Sequence, residues 1–206
     1  MQSNHETSLH RPVRWGILSA ADIGVKRTAP AIVASSNGKL VAVGSRNPKR
    51  ARELFSFTPA IRIYNDYDSV LNDPEIEAIY NPLPNSLHAE WTIKALKAGK
   101  HVLCEKPLAV TAEQGVTMAQ AARDSGKLLM EAFMYRFHPQ TVWALEQVAT
   151  GRIGQVKLVH SSFAFNIGSR PHDIRLQASI TKTLGPWVSG RPRVRPDCGP
   201  VIADQG

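Results

Sequence analysis

Cysteine is scarce: Cys104 and Cys198 are the two in 206 residues. Two thiols make no disulfide framework and no cysteine-rich metal site, so the fold must rest on an apolar core and no metal is expected. Long hydrophobic runs are also missing, and no stretch is long enough to span a bilayer. Met1 to Pro12 is polar and lacks the apolar centre of a signal peptide. These absences predict a soluble chain in a reducing, cytoplasmic setting, with no membrane partner. Lysine and arginine outnumber aspartate and glutamate by 25 to 17, a formal charge of +8. The basic residues are scattered, and no Lys/Arg stripe is interleaved with aromatics. The surplus therefore points to an anionic cofactor and ordinary surface lysines rather than to nucleic acid.

What is present is enough apolar material, 43% of residues, for one full domain and part of a second. The organising stretch is Val13 to Gly24. An apolar run enters Ser19-Ala20-Ala21-Asp22-Ile23-Gly24, and a helical pattern follows at once. This is the strand–turn–helix opening of a mononucleotide-binding βαβ unit. A diphosphate must approach backbone N–H groups at a helix N-terminus, so side chains there must be small. Of the glycine fingerprint G-x-G-x-x-G only the last glycine survives, with Ser19 and Ala21 as small replacements. Ser19, Ala20, Ala21, Asp22 and Ile23 are the first candidate cofactor contacts.

A helix is predicted over 23–35, kinked or broken late at Pro30. Gly38, Gly99 and Gly126 each follow a helical pattern and precede a short apolar run, which predicts left-handed helix stops feeding strands. Further helices are expected at 48–55, 87–98 and 139–150, the last stopped by Gly151. A turn or short helix is expected at 66–71. Strands are expected at 61–64 and 76–80. Thr111-Ala112-Glu113-Gln114 spells a capping box for a helix reaching about Ser125. Alternating elements of this kind predict an α/β fold, a doubly wound parallel sheet forming a dinucleotide-binding domain over 13–136. A flexible segment, 1–12, precedes it. The start of a second α/β domain is expected over 137–177, with a long strand at 155–166 that carries Phe163 and Phe165. From 178 to 206 Gly, Pro, Arg and Trp dominate without a period. There Arg191-Pro192-Arg193-Val194-Arg195-Pro196 excludes a central strand or helix interior.

In an open α/β sheet, ligands bind beyond the carboxyl ends of the strands. After the second strand comes Gly44-Ser45-Arg46-Asn47, where a carboxylate would hold a ribose 2′-OH. None is present. Ser45 and Arg46 suit a 2′-phosphate, which favours NADP over NAD. After the fourth strand, Asn81-Pro82-Leu83-Pro84-Asn85-Ser86-Leu87-His88 offers Asn81, Leu83, Asn85 and His88, with Ser86 as the expected helix cap. After the fifth comes Glu105-Lys106-Pro107, a charged pair that is costly at a buried strand end unless paired or used. Pro107 restricts the backbone of Lys106. After the sixth, Arg136 and His138 stand among Phe133, Tyr135 and Phe137, as in a substrate pocket.

Taken together, these loops resemble the glucose–fructose oxidoreductase, inositol dehydrogenase and rhizopine catabolism family. Glu105-Lys106-Pro107 matches its hallmark triplet. The stretches 81–88 and 131–139 resemble the branch of dihydrodiol and D-xylose dehydrogenases, and the likeness runs from about Val13 to Gln177. The resemblance implies an NADP-dependent oxidoreductase, with NAD as the lesser possibility. It implies hydride exchange with a carbinol carbon of a sugar or dihydrodiol, with Lys106 as the catalytic lysine that orients substrate and stabilises developing charge. Glu105 and Lys106 would also touch the cofactor. Family members are often homo-oligomers through a large second-domain sheet.

The chain departs from the family in its degraded glycine turn and in the lack of a glycine pair, aspartate and acid/base residue after Gln177. Three functions stay open at this point: a dehydrogenase, a non-catalytic nucleotide-binding regulator, and a basic nucleic-acid binder. Lys106 favours the first, and the missing acid/base segment favours the second.

Overall fold

The computed structural model of the chain describes residues 11–161. Six strands form one parallel sheet: β1 (Val13–Leu18), β2 (Gly38–Gly44), β3 (Arg62–Tyr64), β4 (Ala78–Asn81), β5 (His101–Cys104) and β6 (Leu129–Glu131). Their order is β3-β2-β1-β4-β5-β6, so the chain runs outward on one side of β1 and resumes on the other. That reversal makes a crevice above the ends of β1 and β4. The helices are α1 (Ala29–Ala34), α2 (Pro48–Leu54), α3 (Tyr67–Asn72), α4 (Asn85–Lys97), α5 (Ala112–Ser125) and α6 (Pro139–Ala149). Two apolar clusters hold the domain. One joins Ile79, Val102 and Leu96 with Met118, and the other joins Ile17, Val43 and Phe55 with Tyr80. No helix among the described residues is long and apolar enough to cross a membrane.

The expected interruption at Pro30 takes a different form. A π-helical turn, Gly24–Thr28, runs directly into α1. The Ala29 N–H reaches back to the Gly24 carbonyl. A proline ring clashes with the carbonyl four residues earlier, and a widened turn just before it relieves that clash without ending the helix. Gly99 and Gly126 are left-handed, with φ of +76° and +63°, as a helix stop requires. Gly38 is not, and its small size serves packing instead. A Cβ there would meet the Ser35 Oγ at 2.6 Å and the Ile32 carbonyl at 3.2 Å.

Capping differs from expectation at two helices. Thr111 Oγ1 accepts the Gln114 N–H, but the Gln114 side chain returns to the Val110 N–H rather than to that of Thr111. Pro84, not Ser86, sits before α4, because the helix begins at Asn85 and the Leu87 N–H bonds the Pro84 carbonyl. The strand expected over 155–166 is not formed across its described part. Residues 155–161 are exposed and pair with no strand. An extended segment without a neighbour leaves its backbone groups to water, and nothing then holds it as a strand. Phe163, Phe165 and the stretch 178–206 lie outside the described residues, as does 1–10. Arg11, in the segment expected to be flexible, pairs with Glu77 at 2.6 Å.

The turn between α3 and β4 is built on Asp73. Its carboxylate accepts from Arg62 Nη2 at 2.6 Å, Tyr64 Oη at 3.1 Å and the Glu75 N–H at 2.9 Å. Its own carbonyl and that of Ile76 accept from the buried Lys100 ammonium, at 2.7 and 2.8 Å. Burial acts to raise the Asp73 pKa, but the three donors together hold it below the ordinary carboxylate value. A carboxyl with a lowered folded pKa contributes stability above its unfolded value, about 3.9, and loses it as pH falls through the folded value. Urea midpoints followed from about pH 7 to about pH 3 are expected to fall on the acid side. Asp73→Asn is expected to lower the neutral midpoint and flatten that acid limb.

Candidate functional site

The candidate site is the set of loops beyond the ends of β1, β2, β4, β5 and β6. After β1, Ser19 takes a left-handed conformation, φ +87°. Its N–H bonds the Gly44 carbonyl at 2.8 Å, and its Oγ accepts the Ala21 N–H at 3.3 Å. The turn thus brings Ala20 and Ala21, both half-buried, to the start of the helix containing Asp22 and Ile23. The first N–H groups of that helix have no partner within it. Beside this turn, Gly44 must be a glycine, since a Cβ would lie 2.9 Å from the Asp66 carbonyl.

After β2, Ser45 is buried and its hydroxyl is used locally, on the backbone of Asn47 at 3.1 Å. Asn47 in turn caps α2 through the Arg50 N–H. Ser45 therefore shapes the loop, and Arg46 is the exposed cation on it.

After β4 and β5, two loops are tied together from below. Tyr80 Oη donates to Glu105 Oε1 at 2.6 Å inside the core. Burial and this hydrogen bond hold the phenol protonated, its pKa raised. The other Glu105 oxygen accepts the Lys106 N–H at 3.2 Å. On the far side of Lys106, the Pro107 carbonyl meets His88 Nδ1 at 2.8 Å, and the Lys106–Pro107 peptide is cis. Leu108 donates its N–H to Glu131 at the end of β6, at 2.8 Å. Lys106 itself is exposed, on a backbone held on both sides by these bonds. Burial pushes the neighbouring Cys104 thiol up to about 12, and it stays a core residue.

These distances alter the roles expected of several residues. Asn81 is wholly buried; its amide donates to the His88 carbonyl and Thr92 Oγ1, and its oxygen accepts the Leu83 N–H. The side-chain polar atoms of Asn81, His88 and Glu105 are thus bonded to protein partners, as buried polar groups generally are. Asn85 opens α4, and Leu83 is buried beside it. Arg136 and His138 are exposed, as are Tyr135 and Phe137, so no enclosed pocket surrounds them. His138 Nδ1 instead accepts the Gln140 N–H as the cap of α6. Among the described residues no group of three or more His, Cys, Asp or Glu converges as for a metal. Tyr80 and Glu131 were not among the residues expected from the sequence. The available signal was a tyrosine ending the apolar run Ala78-Ile79-Tyr80, whose hydroxyl must find a partner once buried.

Comparison with known proteins agrees with this layout. A family model described as an oxidoreductase family with an NAD-binding Rossmann fold matches residues 13–133. The chain is 42% identical over 166 residues to the D-xylose 1-dehydrogenase (NADP(+)) 2 of Haloferax volcanii, covering 81% of this chain and 50% of that protein. It is 34% identical over 160 residues to the trans-1,2-dihydrobenzene-1,2-diol dehydrogenase of Mus musculus, covering 77% and 48%. A 3-ketoreductase from Actinomadura kijaniata, crystallised with NADP and TDP-benzene, superposes with a TM-score of 0.64 at 38% identity, over 68% of this chain and 43% of that one. The chain thus spans about half the length of the curated relatives it matches.

The strained turn generates a direct test. A side chain at positive φ costs about 1 kcal/mol or more, which glycine avoids. Ser19→Gly is therefore expected to stabilise the fold by about 0.5–1 kcal/mol in denaturant unfolding, despite the lost Oγ contact.

Proposed function

The chain belongs to the oxidoreductase family with an NAD-binding Rossmann fold, and from that premise we propose that it binds NADP(H) in preference to NAD(H) at the loops beyond β1, β2, β4 and β5. The observation that carries this is the end of β2, where Ser45 is folded inward and Arg46 is left exposed with no carboxylate in Gly44-Ser45-Arg46-Asn47. A guanidinium there recognises a 2′-phosphate by charge-assisted hydrogen bonds. The small residues at 19–21 and the helix start at Asp22 suit a diphosphate. When bound, the nicotinamide supplies the hydride donor or acceptor. Lys106 is the group of this chain that would stabilise negative charge on a carbinol oxygen. The substrate class proposed is a sugar or dihydrodiol, in line with the names of the two curated relatives. We further propose that 13–136 is the cofactor domain and that 137–177 begins a second one.

Calorimetry tests the cofactor proposal. A charge-assisted bond contributes roughly 1.5–3 kcal/mol, so Arg46→Ala is expected to weaken NADPH binding at least about tenfold and to leave NADH binding unchanged. Equal affinity for the two cofactors in both proteins would refute it.

Turnover is a separate matter, because the acid/base segment of the family does not occur within 178–206. General acid–base groups typically supply about 10²–10⁴-fold. Residues 1–206 are expected to oxidise aldoses and trans-dihydrodiols with NADP⁺ at rates well below about 1 per second. Ordinary enzyme rates abolished by Lys106→Ala would overturn that expectation.

A further inference from the structure

Lys106 is exposed, and no carboxylate among the described residues pairs with its ammonium. With no ion pair to hold the side chain, the reach of the ammonium depends on the backbone beneath it. That backbone is held at Lys106, where the N–H bonds Glu105 Oε2 at 3.2 Å. It is held again at Pro107, whose carbonyl meets His88, and at Leu108, whose N–H bonds Glu131. The first of these bonds acts on the lysine itself, and the carboxyl group that makes it is held in turn by Tyr80.

Strand register brings the two together. Tyr80 pairs with Leu103 across β4 and β5, and the ladder runs on as the Glu105 N–H bonds the Asn81 carbonyl at 3.0 Å. Leu103 and Glu105 alternate with Cys104, so they share a face of the sheet with Tyr80. On that face Tyr80 is wholly buried in the cluster of Ile17, Val43 and Phe55, and its Oη lies 2.6 Å from Glu105 Oε1. Glu105 is buried as well, and a buried carboxyl group needs a partner for each oxygen. The phenol serves Oε1 and the Lys106 N–H serves Oε2. Without the hydroxyl, Oε1 is orphaned. Glu105 relieves that by turning toward water, which withdraws Oε2 from the Lys106 N–H.

We propose that Tyr80 is a positioning residue for Lys106: its phenol fixes the Glu105 carboxyl group, which fixes the backbone N–H of the lysine. The ring of Tyr80 fills the core, and its hydroxyl serves the site. The consequence for cofactor binding rests on the cofactor reading given above, whereas the two hydrogen bonds belong to the unliganded chain.

The test uses the full chain and Tyr80→Phe, which removes one oxygen and keeps the ring. Hydrogen exchange at the Lys106 amide is expected to quicken at least about fivefold, the loss of one hydrogen bond, while the amides of Ile79 and Val102 in the strands keep their rates. NADPH affinity by calorimetry is expected to fall about fivefold on the same ground. In a Lys106→Ala background Tyr80→Phe is expected to change NADPH affinity no further, because its effect passes through the lysine. A residue that only supports the fold would weaken binding equally in both backgrounds, and that result overturns the proposal. So does a Lys106 amide that exchanges at its original rate in Tyr80→Phe. Should Tyr80→Phe alone not fold, Tyr80→Phe/Glu105→Leu leaves neither oxygen orphaned and is compared with Glu105→Leu alone. Equal NADPH affinities and equal Lys106 exchange in that pair are expected, and a further loss from Tyr80→Phe overturns the proposal. A chain that binds no NADPH refutes the cofactor reading instead, and the Lys106 amide still decides the role of Tyr80.

Discussion

The hydrogen bond from Tyr80 to Glu105 is the constraint on which the site depends. A carboxylate at the end of a buried strand would ordinarily be expelled into water. Here the phenol meets it at 2.6 Å, and burial holds that phenol in its donating form. One buried hydrogen bond therefore links the ends of β4 and β5. Lys106, next along the chain, inherits a fixed backbone and keeps an exposed side chain.

Around that bond the loops form a shell whose polar groups mostly face one another. Asn81 spans the first turn of α4, His88 spans both loops, and Glu131 holds the far end of the hallmark triplet. Groups spent in this way fix the loops relative to one another. Left accessible beside them are the turn at Ser19 to Ala21, Arg46 and Lys106. Rigid support beneath a few exposed groups is what positions charge against a cofactor within a few tenths of an ångström.

Beyond β6 the character changes. Helix α6 exposes Val142, Trp143 and Leu145, and the preceding turn exposes Met134 and Phe137. The cofactor domain buries its own sheet on both faces, whereas this helix buries little of its apolar surface. That contrast accompanies a chain spanning about half the length of its curated relatives.

The parallel sheet could be read from periodicity and punctuation, because short apolar runs, helical spacing and glycines such as Gly99 and Gly126 are local signals. So could Arg46 and Lys106, since each stands at a strand end where chemistry is expected and differs in kind from its neighbours. Local pattern failed where the answer depended on a distant partner. Gly38 follows a helix as a stop glycine does, yet the Ser35 side chain and Ile32 carbonyl close against it demand its small size. Residues 155–161 carry a strand-like pattern but have no strand to pair with. Tyr80, Asn81, His88 and Glu105 each have a partner on another element, as far as 25 positions away. Which buried polar group bonds which is decided only when the strands are side by side. The amino-acid sequence by itself determined the order of elements and the exposed charges, and the tertiary structure alone decided which polar residues bond one another and which stay exposed.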